Sequence, residues 1–142
     1  MSEKVLLVDD EEDFLEVMSE RMQARGMQVE TCTSAEEAIE KLKSEAFDAI
    51  ILDFMMPGID GMQALKDIKA RSPEAQIILL TGHATVEKGV EAMKAGATDF
   101  MEKPADLEEL EKKIKDASTR RMLIVEKQAE DKLKDTLKRF GF

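Results

Sequence analysis

With 142 residues, 43% of them hydrophobic, the chain can bury one sizeable core and is too apolar to be disordered. Its net charge of −10 argues against direct binding of DNA or RNA. No apolar run approaches the ~18 residues of a membrane span, and the lone Cys32 cannot form an internal disulfide. No basic-apolar-small leader precedes the first strand, so a cytoplasmic protein without a membrane partner is expected. The acidity is uneven. Residues from Asp106 onward carry ten Lys/Arg and nine Asp/Glu, leaving 11 basic and 22 acidic residues before them. Acidic surfaces of this kind commonly serve only solubility.

Strands and helices alternate along the chain. Lys4 to Val8 reads as a strand, then Glu11 to Arg25 as a helix with Phe14, Leu15, Met18 and Met22 on one stripe. Gly26 stops that helix. Gln28 to Thr33 is a second strand. Ser34 and Glu37 form a capping box for a helix expected to reach Ala46 and to bury Ala38, Ile39 and Leu42. A third strand runs from Asp48 to Asp53, and a helix from Met62 to Arg71. The strand Gln76 to Leu80 closes on Thr81. A fourth helix starts at Ala84 or Thr85 and stops near Gly96. A last strand from Thr98 leads to Lys103, and Asp106 caps a fifth helix burying Leu107, Leu110, Ile114 and Ala117.

Five such units predict an α/β fold: a flavodoxin-like, doubly wound, five-stranded parallel sheet of order 2-1-3-4-5, with an extended C-terminal helix. The most apolar strands, one, three and four, should be central. The switch point then falls between strands one and three, where Asp9, Asp10 and Asp53 end their strands together. Three convergent carboxylates repel unless something positive sits among them, and a small hard divalent cation suits oxygen ligands. Taken alone, Asp9-Asp10 could be a helix cap plus a solvated acid, Thr81 an N-cap and Lys103 a surface lysine. Together at four strand ends they are hard to attribute to chance.

The acid pair, Asp53, Thr81 and Lys103, the loop Met56-Pro57-Gly58-Ile59-Asp60-Gly61, the run Thr81-Gly82-His83-Ala84 and the run Glu102-Lys103-Pro104 occur in one order. This constellation resembles the receiver domain of bacterial response regulators over roughly residues 3 to 118. Leu80 to Pro104 looks most like the receivers of transcriptional activators. The resemblance implies a receiver at 1–118, followed by a helical extension at 119–142. It implies that Asp53 accepts a phosphoryl group from a sensor histidine kinase or a phosphotransfer protein. It implies Mg²⁺ on Asp10, Asp53 and the Met55 backbone carbonyl, with Asp9 acting mainly through a water. Lys103 would pair with a phosphoryl oxygen, and Thr81 would hydrogen-bond another. Thr81 and the switch aromatic Phe100 would then alter a surface read by a downstream protein. The family's lysine–proline bond is cis, which would aim Lys103 into the crevice. Such a protein catalyses only its own phosphorylation and dephosphorylation and is not otherwise an enzyme.

Two positions depart from the chemotaxis-type pattern. Met55, two after the nucleophile, should shield the phosphorus and slow hydrolysis. His83, the only histidine, flanks the same site as a base or, more plainly, as an exposed loop imidazole. Phe100 by spacing alone is equally well a half-buried strand residue. Cys32 should pack as a small hydrophobe. The extension past Ala117 holds four consecutive apolar residues, Met122 to Val125, then a charged run with Leu133, Leu137 and Phe140. Its heptad register breaks, which disfavours a long regular coiled coil. It could fold back, form a homodimer with a second copy or bind a partner. Competing functions are a docking-only receiver, a receiver module of a larger transcriptional activator, a flavin redox protein and a Mg²⁺-dependent phosphatase. The lack of Trp and Tyr counts against the flavin reading, and Met55 in the general-acid position counts against the phosphatase.

Overall fold

The computed structural model describes residues 2–54, 61–82, 85–103 and 106–141. Five strands alternate with five helices: β1 Lys4–Val8, α1 Glu12–Ala24, β2 Gln28–Cys32, α2 Ala35–Leu42, β3 Ala49–Asp53, α3 Gly61–Arg71, β4 Ile77–Thr81, α4 Val86–Lys94, β5 Asp99–Glu102 and α5 Leu107–Arg139. The strands are parallel in the order β2-β1-β3-β4-β5, as the alternation of apolar runs and amphipathic segments predicts.

The pleat divides the core in two. Leu6, Val8, Ile50, Leu52, Ile77 and Leu79 point to one side and pack with residues of α2, α3 and α4. Val5, Leu7, Ala49, Ile51, Ile78 and Leu80 point to the other and pack with α1 and α5. Every residue of β3 and β4 is buried, and each large side chain so removed from water contributes about 1.5–3 kcal/mol. The edge strands β2 and β5 keep their polar residues half-exposed or exposed.

Local signals set most boundaries. The side chain of Ser34 accepts the Glu37 N–H at 3.2 Å, while Glu37 returns to the N–H of Thr33 rather than of Ser34. Thr85 caps α4 by accepting the Lys88 N–H, and Asp106 caps α5 by accepting the Glu108 N–H. Gly26 and Gly96 take φ of +91° and +106°, the left-handed turn that releases the chain after α1 and α4. The helix α2 is shorter than its pattern suggests: it ends at Leu42, not Ala46, and Ile39 and Leu42 are half-buried rather than buried. Phe47 is the reason, since it is buried at the entrance to β3 and needs Lys43 to Ala46 as a turn and linker. In contrast, α5 runs unbroken through Ser118–Arg121 for 33 residues, about 50 Å. Leu110, Ile114 and Ala117 are buried against the sheet, and no described residue after Ala117 is buried. No described helix is long and apolar enough to cross a membrane.

Candidate functional site

The sheet register assembles the site. Pairing of Val8 with Leu52 sets Asp9, one residue on, beside Asp53. Pairing of Thr81 with Glu102 brings Lys103 to the same end of the sheet, and the Lys103 N–H donates to the Thr81 carbonyl at 2.7 Å. Asp9, Asp10 and Asp53 each offer a carboxylate oxygen, all within 4.8 Å of one another. Asp9 is 2% exposed and Asp53 5%, whereas Asp10 faces solvent. Three charges at that range, two of them largely out of water, are mutually destabilising.

Lys103 answers that repulsion. Its Nζ lies 2.6 Å from Asp9 Oδ2, 3.7 Å from Asp53 Oδ2 and 3.9 Å from Glu11 Oε1. The ammonium also sits 4.3 Å from the centre of the Phe14 ring, a cation–π contact that needs no counter-charge. Burial acts to lower the lysine pKa. The Asp9 hydrogen bond and the charges of Asp53, Asp9 and Glu11 outweigh it, so the group is held above its ordinary value. The second oxygen of Asp9 accepts the Glu11 N–H at 2.9 Å. Asp9 therefore braces the entry to α1 and contributes to the acid cluster at once. The cluster presents only hard oxygen donors and opens to solvent at Asp10, a donor set suited to Mg²⁺ or Ca²⁺.

Thr81 is fully buried at the end of β4. Phe100 is half-buried on β5, edge-to-face with Phe54 at 6.3 Å between ring centres and 77° between planes. Across from it, Gly89 of α4 leaves only 3.6 Å between its would-be Cβ and Phe100 Cδ1. Asp9, Asp10, Asp53 and Lys103 thus converge directly, with Thr81 bonded through backbone to Lys103, while Phe54 and Phe100 lie behind them. Met55, His83 and Pro104, with the Lys103–Pro104 bond, lie outside the described residues.

Three contributors were not legible as site residues. Phe14 reads as an ordinary member of the α1 stripe, and Glu11 as a surface acid. Gly61 stands at the start of α3, and a Cβ there would lie 2.4 Å from the Phe54 carbonyl oxygen. Its signal is the glycine that opens α3 where a side chain would otherwise be expected.

Comparison with known proteins agrees with this geometry. Residues 5–115 match the model of the response regulator receiver domain. The response regulator protein FleR of Pseudomonas aeruginosa is 40% identical over 104 residues, 73% of this chain and 22% of that protein. The chain spans about a quarter of the length of the curated relatives it matches. The beryllofluoride-activated NtrC4 receiver domain dimer superposes with a TM-score of 0.78 at 37% identity, covering 83% of this chain and 98% of that one. A response regulator from Burkholderia pseudomallei, solved with a phosphorylated aspartic acid, a calcium ion and citrate, gives 0.75 at 27% identity, covering 94% of this chain and 75% of that one. A family match over most of the chain, joined to this sheet order and this cluster of acids and lysine, makes the protein a member of the response regulator receiver domain family of two-component systems.

Proposed function

We propose that the chain is a phosphorylation-switched receiver in which Asp53 accepts a phosphoryl group from a histidine kinase or phosphotransfer protein. The observation that carries this reading is the Lys103 ammonium placed 3.7 Å from Asp53 inside a cluster of three carboxylates. An Asp53 oxygen attacks phosphorus as the donor's P–N bond breaks, and the electron pair leaves with the donor imidazole. Transfer of this kind depends mainly on positioning and on neutralising the phosphoryl oxygens. Lys103 exchanges part of its contact with Asp9 and Asp53 for a phosphoryl oxygen. The Thr81 hydroxyl turns to another oxygen, and Phe100 follows into the space so vacated, shifting a pre-existing equilibrium. Asp9, Asp10 and Asp53, with the Met55 carbonyl, would hold Mg²⁺, whose role is to neutralise charge on the acceptor and the phosphoryl group. The phosphorylated aspartic acid and calcium ion of the Burkholderia protein support both assignments.

In this reading residues 1–118 carry the chemistry, 119–142 form a separate helical extension, and the receiver acts on a downstream protein, not on nucleic acid. Met55 shields the phosphoryl group and His83 is the residue that could align a hydrolytic water. The test is incubation with a small phosphodonor such as acetyl phosphate and Mg²⁺, followed by intact mass. One added phosphoryl group is expected, lost in Asp53→Asn and on chelation of the metal. Modification that persists in Asp53→Asn sinks the assignment. No modification of the parent by donor or kinase would favour a docking-only receiver.

A further inference from the structure

Lys103 has four close neighbours, and they fare differently when the site is used. Asp9 Oδ2 lies 2.6 Å from the ammonium, Asp53 Oδ2 3.7 Å, Glu11 Oε1 3.9 Å and the centre of the Phe14 ring 4.3 Å. The two buried acids also belong to the cluster that suits a divalent cation. Asp9 has little to share between them. Its Oδ1 accepts the Glu11 N–H at 2.9 Å, so a metal ion drawn to Asp9 competes with Lys103 for Oδ2. A carboxylate that neutralises a metal ion also attracts a lysine less, and the two cations repel each other. Glu11 is a poor substitute, because its side chain is 67% exposed and its charge is screened by water.

The fourth neighbour is the ring. Phe14 is no ligand for a metal ion, so its contact with Lys103 survives when the acids turn to one. The attraction comes from the π face and is strongest away from water. The Lys103 side chain is only 17% exposed, which shields the contact. A π face leaves the ammonium donors available to an arriving oxygen, because it offers no lone pair to hold them. The ring is also fixed in place. Phe14 lies in the first turn of α1 and packs against the core cluster that contains Leu15, Met18 and Leu110. The entry to that helix is the one Asp9 braces.

We propose that Phe14 is a positioning residue: its ring seats the Lys103 ammonium in the crevice after Asp9 and Asp53 have turned to a metal ion and until a phosphoryl oxygen takes hold. This role rests on the phosphoacceptor reading, but the seat itself can be observed without a phosphoryl group. In proton NMR the ε-methylene of a lysine held over an aromatic ring resonates upfield of an ordinary lysine. Lys103 should show that shift without metal and keep it at saturating Mg²⁺. Loss of the shift on adding Mg²⁺ overturns the proposal, whether or not Asp53 can be phosphorylated. A parent that keeps the shift but takes no phosphoryl group supports the seat and refutes the acceptor reading. Phe14→Leu keeps an apolar side chain without the π face, and Phe14→Tyr keeps the π face. With acetyl phosphate and saturating Mg²⁺, Phe14→Leu should be phosphorylated about three- to tenfold more slowly than the parent, the range of a shielded cation–π contact. Phe14→Tyr should restore the parent rate. Mg²⁺ affinity, followed by backbone amide shifts, should be the parent's in both variants. If Phe14 only packs α1, Phe14→Leu displaces Asp9 and Asp10 as well, and Mg²⁺ affinity falls in step with the rate. That result, or a parent-like rate in Phe14→Leu, overturns the proposal.

Discussion

Replacing Asp53 by Asn removes one charge from the cluster and keeps its shape. At an effective dielectric of about 20, the Lys103–Asp53 attraction at 3.7 Å amounts to about 4.5 kcal/mol. The repulsions from Asp9 and Asp10, at separations up to 4.8 Å, amount to about 3.5 kcal/mol each. Asp10 faces solvent, so its share is screened and must be discounted. The net repulsion on Asp53 is then about 1–2 kcal/mol, and Asp53→Asn should be more stable than the parent by that amount in metal-free buffer. Magnesium should reverse the order. A cation bound by the folded parent at a hundred times its dissociation constant adds about 2.7 kcal/mol, more than that gap, and the variant, short of one carboxylate, should gain much less. The assay is urea unfolding of both proteins in chelator and in Mg²⁺, with free energies from linear extrapolation. If Asp53→Asn is the less stable protein without metal, or if Mg²⁺ stabilises both equally, the repulsive-cluster argument is wrong.

Gly61→Ala should lower stability by about 1–3 kcal/mol in thermal melts, because the new Cβ meets backbone that cannot step aside, the Phe54 carbonyl at 2.4 Å. Gly89→Ala should do the opposite and raise stability by up to ~1 kcal/mol, since its methyl reaches ordinary contact with Phe100 at 3.6 Å; a lowered melting temperature would show that α4 needs the glycine. Burial pushes the Cys32 thiol up to about 11, so at pH 8 its thiolate fraction, and its alkylation by iodoacetamide, should fall about 100-fold below an ordinary cysteine of pKa near 9. Because that folded-state pKa is raised, the stability linked to Cys32 is intact below pH 9 and lost as pH rises toward 11. Rapid alkylation under native conditions would mean that β2 opens readily.

The sheet order was readable because β1, β3 and β4 are continuous apolar runs and each ends on a residue with chemistry, Asp9, Asp53 and Thr81. Turn glycines and hydroxyl or carboxylate caps supplied the boundaries for the same reason: each answers a local backbone demand. What escaped reading depended on distant parts of the chain. The early end of α2 is set by the burial of Phe47, and the role of Phe14 by a lysine 89 positions later. Neither leaves a periodic trace. Gly61 was visible as a residue but not as a close approach, because the atom it spares belongs to Phe54, seven positions earlier. In α5 the faces before and after Ser118–Arg121 could be compared only once the helix was known to be continuous.

That continuity makes α5 a lever. Its root is bolted to β5 by the contact of Lys113 Nζ with Asp99 Oδ2 and to the sheet by Leu110, Ile114 and Ala117. From Ser118 to Arg139 the shaft extends about 33 Å. A tilt of only about 5° at the root would sweep the far end through nearly 3 Å, by simple proportion along a rigid rod with a rise of about 1.5 Å per residue. A displacement too small to reorganise the core around Asp99 would therefore arrive at Phe140 as a movement the size of a side-chain contact.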